Sequence, residues 1–247
     1  MIKDFTADIQ RFSHYFAEEI NRVTKLTIEG EHHPAMMYKK LIFAAIFDSL
    51  SKCIFPKKGN KDRIISFLID FSEWEDHDRI SLPHLYQLLT KNPEPAFSKL
   101  RSFTVEKLSN WIDGEIINLS SDPKISEVIG YWPNEKDYKK PLGGVSIEYL
   151  QHSHLFYSYR NAIVHEFRHP GHGMEIKQDK NPFYIGFSHL NDPDDQKNTL
   201  ELVYPYGFFE KIVRTSFENM KNYLIKENIN PYFSYTFGSY WIEELNK

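Results

Sequence analysis

Apolar residues return every three or four positions from Phe5 through Ile9, Phe12, Phe16 and Ile20 to Val23, the spacing of one buried helical stripe. A first helix over 5–23 follows. Met37, Leu41, Ala44, Ala45, Phe47 and Leu50 predict a second, more deeply buried helix that ends near Pro56, with a loop over 57–60. Ile64, Ile65, Leu68, Ile69 and Phe71 predict a third over 62–74, with Asn60 as its N-cap. Pro83, Pro93 and Pro95 then break the pattern and leave one brief helix over 82–89. The helical period resumes over 105–119 through Leu108, Trp111, Ile112 and Ile116. Residues 120–144 hold three prolines and three glycines and read as a long connection with one helical turn, the best boundary in the chain. A strongly periodic helix is predicted over 146–167, stopped by Pro170, Gly171 and Gly173. Phe183, Ile185 and Phe187 alternate, as do Leu200 and Leu202 beyond the turn residues 191–195, which predicts a β-hairpin over about 182–204. A helix over 206–225 follows, and the aromatic tail 232–241 is expected to pack back on the core. The expected fold is mainly α: one helical domain over 1–247 with one inserted β-hairpin.

Composition narrows the function classes. The chain has 247 residues, 41% hydrophobic and 26% charged, enough to bury a core without a disulfide or a structural metal. Its one cysteine, Cys53, sits in an apolar run and reads as a buried thiol, which points to a reducing, cytoplasmic setting. The N-terminal stretch lacks the apolar core of a secretory signal, and no run is long and apolar enough to span a membrane. A net charge of −4 argues against unspecific coating of polyanions. Glycine-rich phosphate loops and the G-x-S-x-G nucleophile turn are absent from the sequence.

The informative stretch is QHSHLFYSYRNAIVHEFRHPGHG, which holds His152, His154, His165, His169 and His172 of the eleven histidines. On an α-helix Phe156, Tyr159, Ile163 and Phe167 share an apolar face, while His154, Ser158, Asn161, His165 and Arg168 form a polar stripe opposite. A solvated face normally carries Lys and Glu, so imidazole, hydroxyl, amide and guanidinium groups in one line suggest a site. Two patterns overlap here. H-E-x-x-H, from His165 through Glu166 to His169, is the spacing of a zinc peptidase, with Glu166 as general base. Pro170 directly after the second histidine and the failed metzincin extension count against it. R-N-x-x-x-H, formed by Arg160, Asn161 and His165, needs no metal ligand set.

This second pattern, on a long helix preceded by several others, resembles the HEPN superfamily (higher eukaryotes and prokaryotes nucleotide-binding). The specific resemblance covers about 149–168; a weaker likeness of texture extends to LIFAAIFDSLSKCIFPKKGNKDRIISFL. It implies a HEPN-like antiparallel helical bundle and a metal-independent endoribonuclease in which the motifs of two protomers meet across a dimer interface. A toxin or antiviral defence role, an RNA substrate, no cofactor and a regulatory partner of the antitoxin kind are further implications. The residue types suit that chemistry. A neutral His165 imidazole can take the proton of a ribose 2′-hydroxyl, and the Arg160 fork can hold the phosphate oxygens. Asn161, one turn before His165, can fix the ring or donate to phosphate. Arg160 lies about 140° round an α-helix from His165, a physical reason to expect a two-fold dimer.

His154, Ser158, Arg168 and His169 are the expected substrate contacts, and His152 and His172 read as bystanders. Lys57, Lys58, Lys61 and Arg63, with Lys136, Lys139 and Lys140, are either a track for RNA or solvated loop charge. The alternatives left open are a non-catalytic HEPN-like dimerisation or nucleotide-binding module and the zinc peptidase. In the plainer version Arg160 pairs with a neighbouring acid, and His165 is a hydrogen-bonded interface histidine.

Overall fold

The computed structural model describes residues 3–28, 33–111, 115–175, 180–188, 198–235 and 243–245. The chain is mainly helical, with a small three-stranded antiparallel sheet among the described residues. Its contacts divide it into two compact units, 1–74 with 209–247, and 75–208.

In the first unit, α1 (Thr6–Thr24), α2 (His33–Ile54) and α3 (Asn60–Phe71) fall where the apolar period put them. Ile9, Phe12, Ile20 and Val23 of α1 are buried, as are Phe43, Phe47 and Leu50 of α2 and Ile64, Phe67 and Leu68 of α3. The Phe47 and Phe67 rings meet edge to face at 5.0 Å. Gly59, not Asn60, takes the cap position of α3; Asn60 opens the helix and its Oδ1 accepts from Arg63 Nη2 at 2.8 Å. The long helix α8 (Tyr206–Glu227) supplies Phe209, Ile212, Val213, Phe217, Met220 and Leu224 to this core. The tail returns as expected over its described part. Tyr232 and Tyr235 lie against Phe12, and Tyr235 Oη donates to the Ser49 carbonyl at 2.7 Å. Residues 236–241 of the predicted tail lie outside the described residues, as does the turn 191–195. Cys53 is buried, and burial pushes its thiol up to about 12.

In the second unit, α4 (Leu82–Lys91) and α5 (Ser98–Ser109) are followed by β1 (Ile117–Asn118), α6 (Ile125–Ile129) and α7 (His152–Asn161). The helix expected over 105–119 is therefore displaced: α5 begins earlier, and Ile117 and Asn118 pair with Tyr184 and Phe183 as an edge strand. The 120–144 stretch is no loose connection. Val128, Trp132 and Leu142 are buried with Ile80, Leu85, Leu89, Leu100 and Ile147 in one apolar cluster. The hairpin forms as β2 (Phe183–Ser188) and β3 (Asn198–Val203), in a register that sets Phe183 opposite Val203 and Ile185 opposite Glu201. Both Phe183 and Tyr184 are buried, so this end of the sheet is covered on both faces.

Candidate functional site

The single helix expected over 146–167 is three pieces. A 3-10 turn (Ile147–Leu150) precedes α7, and α7 passes at its end into a π turn, Ala162–Glu166. The π turn closes when the Phe167 N–H bonds back to the Ala162 carbonyl, and Phe167 ends it in the left-handed region at φ 51°. An i→i+5 turn takes in one more residue than an α turn. Five residues then come nearer one full revolution, which reduces the 140° offset expected between Arg160 and His165. The same change throws Phe167 off the apolar face. Phe156, Tyr159 and Ile163 are buried as predicted, whereas Phe167 is 54% exposed.

The motif residues separate by depth. Arg160 is 5% exposed, and its Nη1 donates to Asn161 Oδ1 at 3.1 Å. Asn161 is half-buried and His165 is exposed. Of the expected substrate contacts, Ser158 is exposed and its Oγ donates to the His154 carbonyl at 3.2 Å. His154 is half-buried beside the Tyr149 ring, and exposed Arg168 pairs with Glu166. His169 stacks on Tyr159 with centroids 6.2 Å apart. H-E-x-x-H loses its geometry here: the helix stops at Phe167, so His165 and His169 are not on successive turns, and Glu166 is engaged by Arg168. Among the described residues no group of three His, Cys, Asp or Glu side chains is placed to hold a metal. The basic loops are partly spoken for. Arg63 pairs with Asp48, Lys58 donates to Ser66 Oγ at 2.7 Å and Lys140 pairs with Asp137 at 2.7 Å.

A buried, hydrogen-bonded polar cluster lies at the other end of α7, where nothing in the sequence pointed to it. Segment 79–82 is held by backbone bonds on both sides: Ile80 N–H to the Pro123 carbonyl at 2.8 Å, and Ser81 N–H to the Leu150 carbonyl at 3.0 Å. These bonds bring Asp122 and His152 together. Asp122 Oδ1 accepts from the Leu82 N–H at 2.9 Å and so caps α4 across 40 residues of chain. Its Oδ2 accepts from His152 Nε2 at 2.7 Å and from Tyr184 Oη at 2.7 Å. Tyr184 Oη also lies 2.8 Å from Ser81 Oγ, which lies 2.7 Å from His84 Nδ1.

Proton counting assigns the direction of this chain. A carboxylate only accepts, so the single Tyr184 proton goes to Asp122; Ser81 then donates to Tyr184 and accepts from His84 Nδ1–H. His84 is left with a bare Nε2. Loss of water around its inward edge, with the charge of His152, holds its pKa below the ordinary histidine value against the opposing pull of Asp122 and Glu201. Burial, with Asp122 adding to it, pushes the Tyr184 hydroxyl up. His152 read as a bystander because its polar neighbours Asp122 and Tyr204 stand 30 and 52 residues away, beyond the reach of any local period.

No family model, no curated protein and no solved structure matches this chain.

Proposed function

We propose that the chain is a metal-independent endoribonuclease of the HEPN type, acting in its second unit through the end of α7. The observation that carries this reading is His165, exposed in a π turn five residues after a buried Arg160 that grips Asn161. Wide helical turns of this kind gather at functional sites. His165 takes the proton of a ribose 2′-hydroxyl, O2′ attacks the adjacent phosphorus, and the bond to the 5′-oxygen breaks. The leaving oxygen takes up a proton from water or from the second protomer's imidazole. The products are a 2′,3′-cyclic phosphate and a 5′-hydroxyl. Asn161, with its carbonyl held by Arg160, has its amide N–H groups left for a phosphate oxygen. Arg160 is thus a positioning residue within one protomer, and pairing of two motif helices supplies the second set of groups.

The burial of Arg160 favours one second reading, a non-catalytic helical module in which the guanidinium serves packing alone. Cleavage of single-stranded RNA in EDTA separates the two. The nuclease reading expects wild-type cleavage and its loss in His165→Ala and Asn161→Ala, with circular dichroism unchanged. No cleavage by any form selects the module.

A further inference from the structure

A cavity of about 250 Å³ opens within the second unit between α4, α7 and the sheet, and it takes in His84, Ser158, Tyr159, Glu201 and Tyr204. Its rim reaches solvent, for Ser158 and Gly171 are both exposed. The volume lies below the roughly 300–1,000 Å³ of drug-sized pockets, which suits one small ring system and not a whole dinucleotide. Three of its polar groups share one character, whereas the Tyr204 hydroxyl spends its proton on the His152 carbonyl at 3.3 Å. Ser158 spends its proton on the His154 carbonyl, the tautomer assigned above leaves His84 Nε2 bare, and Glu201 is a carboxylate. All three are acceptors. Among the described residues each Glu201 oxygen has one hydrogen-bond partner, Thr199 Oγ1 at 2.8 Å for Oε1 and the His172 N–H at 3.2 Å for Oε2. A carboxylate has about four acceptor sites, so both oxygens keep capacity for a ligand. Gly171 secures that carboxylate, because a Cβ there would stand 2.2 Å from Oε2.

We propose that this cavity binds a guanine base, and, resting on the nuclease reading, that it seats the base of the nucleotide presented to the motif. Leu155, Pro170 and Leu200 give a ring system apolar walls, with the buried Tyr159 and Tyr204 behind them. Among the four RNA bases only guanine sets two N–H donors, N1–H and the N2 amino group, side by side to meet both oxygens of a carboxylate. Adenine and cytosine place a ring acceptor beside the amino group, and uracil flanks one N–H with two carbonyls. Ser158 stands three residues before Asn161 on the same helix, so a seated base brings its own ribose and phosphate alongside the motif.

Isothermal titration of the intact chain with guanosine, adenosine, cytidine and methylguanidine tests the pocket without any cleavage. The proposal expects guanosine to bind at least about tenfold tighter than the other nucleosides, and Glu201→Gln to remove that preference. A second variant, Ser158→Phe, fills the rim from an exposed position and is expected to abolish binding with the melting temperature unchanged. Equal binding of all nucleosides, binding of methylguanidine alone, or guanosine affinity untouched by both variants overturns it. Failure of the two readings is distinguishable. Cleavage lost in His165→Ala but indifferent to base overturns the pocket and leaves the nuclease standing. Guanosine binding that depends on Glu201, in a chain that cleaves nothing, does the reverse.

Discussion

The His152 imidazole and the Asp122 carboxylate meet at 2.7 Å with neither side chain exposed to solvent. Asp122 accepts from three donors at once, one from the backbone of α4, one from α7 and one from β2, so a single carboxylate ties three elements of the second unit. Asp122→Ala takes one partner from a histidine, a tyrosine hydroxyl and a helix N–H, all of them buried. The expected cost is about 3–5 kcal/mol, the size found when one member of a buried pair is removed. Urea denaturation of wild type and variant measures it. A loss under 1 kcal/mol would show that the cluster relaxes freely.

His84 predicts a pH dependence of stability. His84 is exposed along part of its surface, and loss of water around the rest of the ring lowers its folded pKa, so between that value and the unfolded one, about 6.5, the unfolded chain holds more protons than the folded chain. Stability from this group is complete above about 6.5 and is lost as pH falls through the window to the folded value. Urea midpoints at successive pH values should therefore decline below about 6.5 in wild type and decline less in His84→Gln. Parallel curves for the two proteins would assign the slope to other groups.

Gly171 lies at φ 73°, where an L side chain is strained, and its missing Cβ makes room for the Glu201 carboxylate. Gly171→Ala should lower stability by about 1–2 kcal/mol from the backbone alone. The displaced carboxylate should weaken guanosine binding as well. Thermal melting and titration read the two effects separately.

Cys53 is 3% exposed, its thiol is raised to about 12, and its Sγ sits 3.7 Å from the Pro231 carbonyl. Thiolate is the reactive form, so the native chain should resist iodoacetamide at pH 8 and react fully in urea. Fast alkylation of the native chain would place this thiol in a far more open setting.

Helices whose apolar period is local were legible in the sequence: Ile9, Phe12, Ile20 and Val23 fixed α1, and Phe209 through Leu224 fixed α8. What escaped was set by contacts distant along the chain. Ile117 and Asn118 sit in a run that can be read with a helical period, and only pairing with Tyr184 and Phe183 makes them a strand. Asp122 falls in the stretch expected to be a connection, and the bond from Ile80 to Pro123 draws it inward. The motif string was legible, but its depth was not. The π turn after Asn161 has no signature in hydrophobic spacing, and with it came a buried Arg160 and an exposed Phe167.

Terminus analysis of RNA fragments, by mass spectrometry after incubation in EDTA, decides whether this chain is a nuclease. The wild-type chain should leave 2′,3′-cyclic phosphate and 5′-hydroxyl ends, and His165→Ala of unchanged fold should leave the RNA intact. Intact RNA with both proteins, or the same fragments with both, would contradict the nuclease reading.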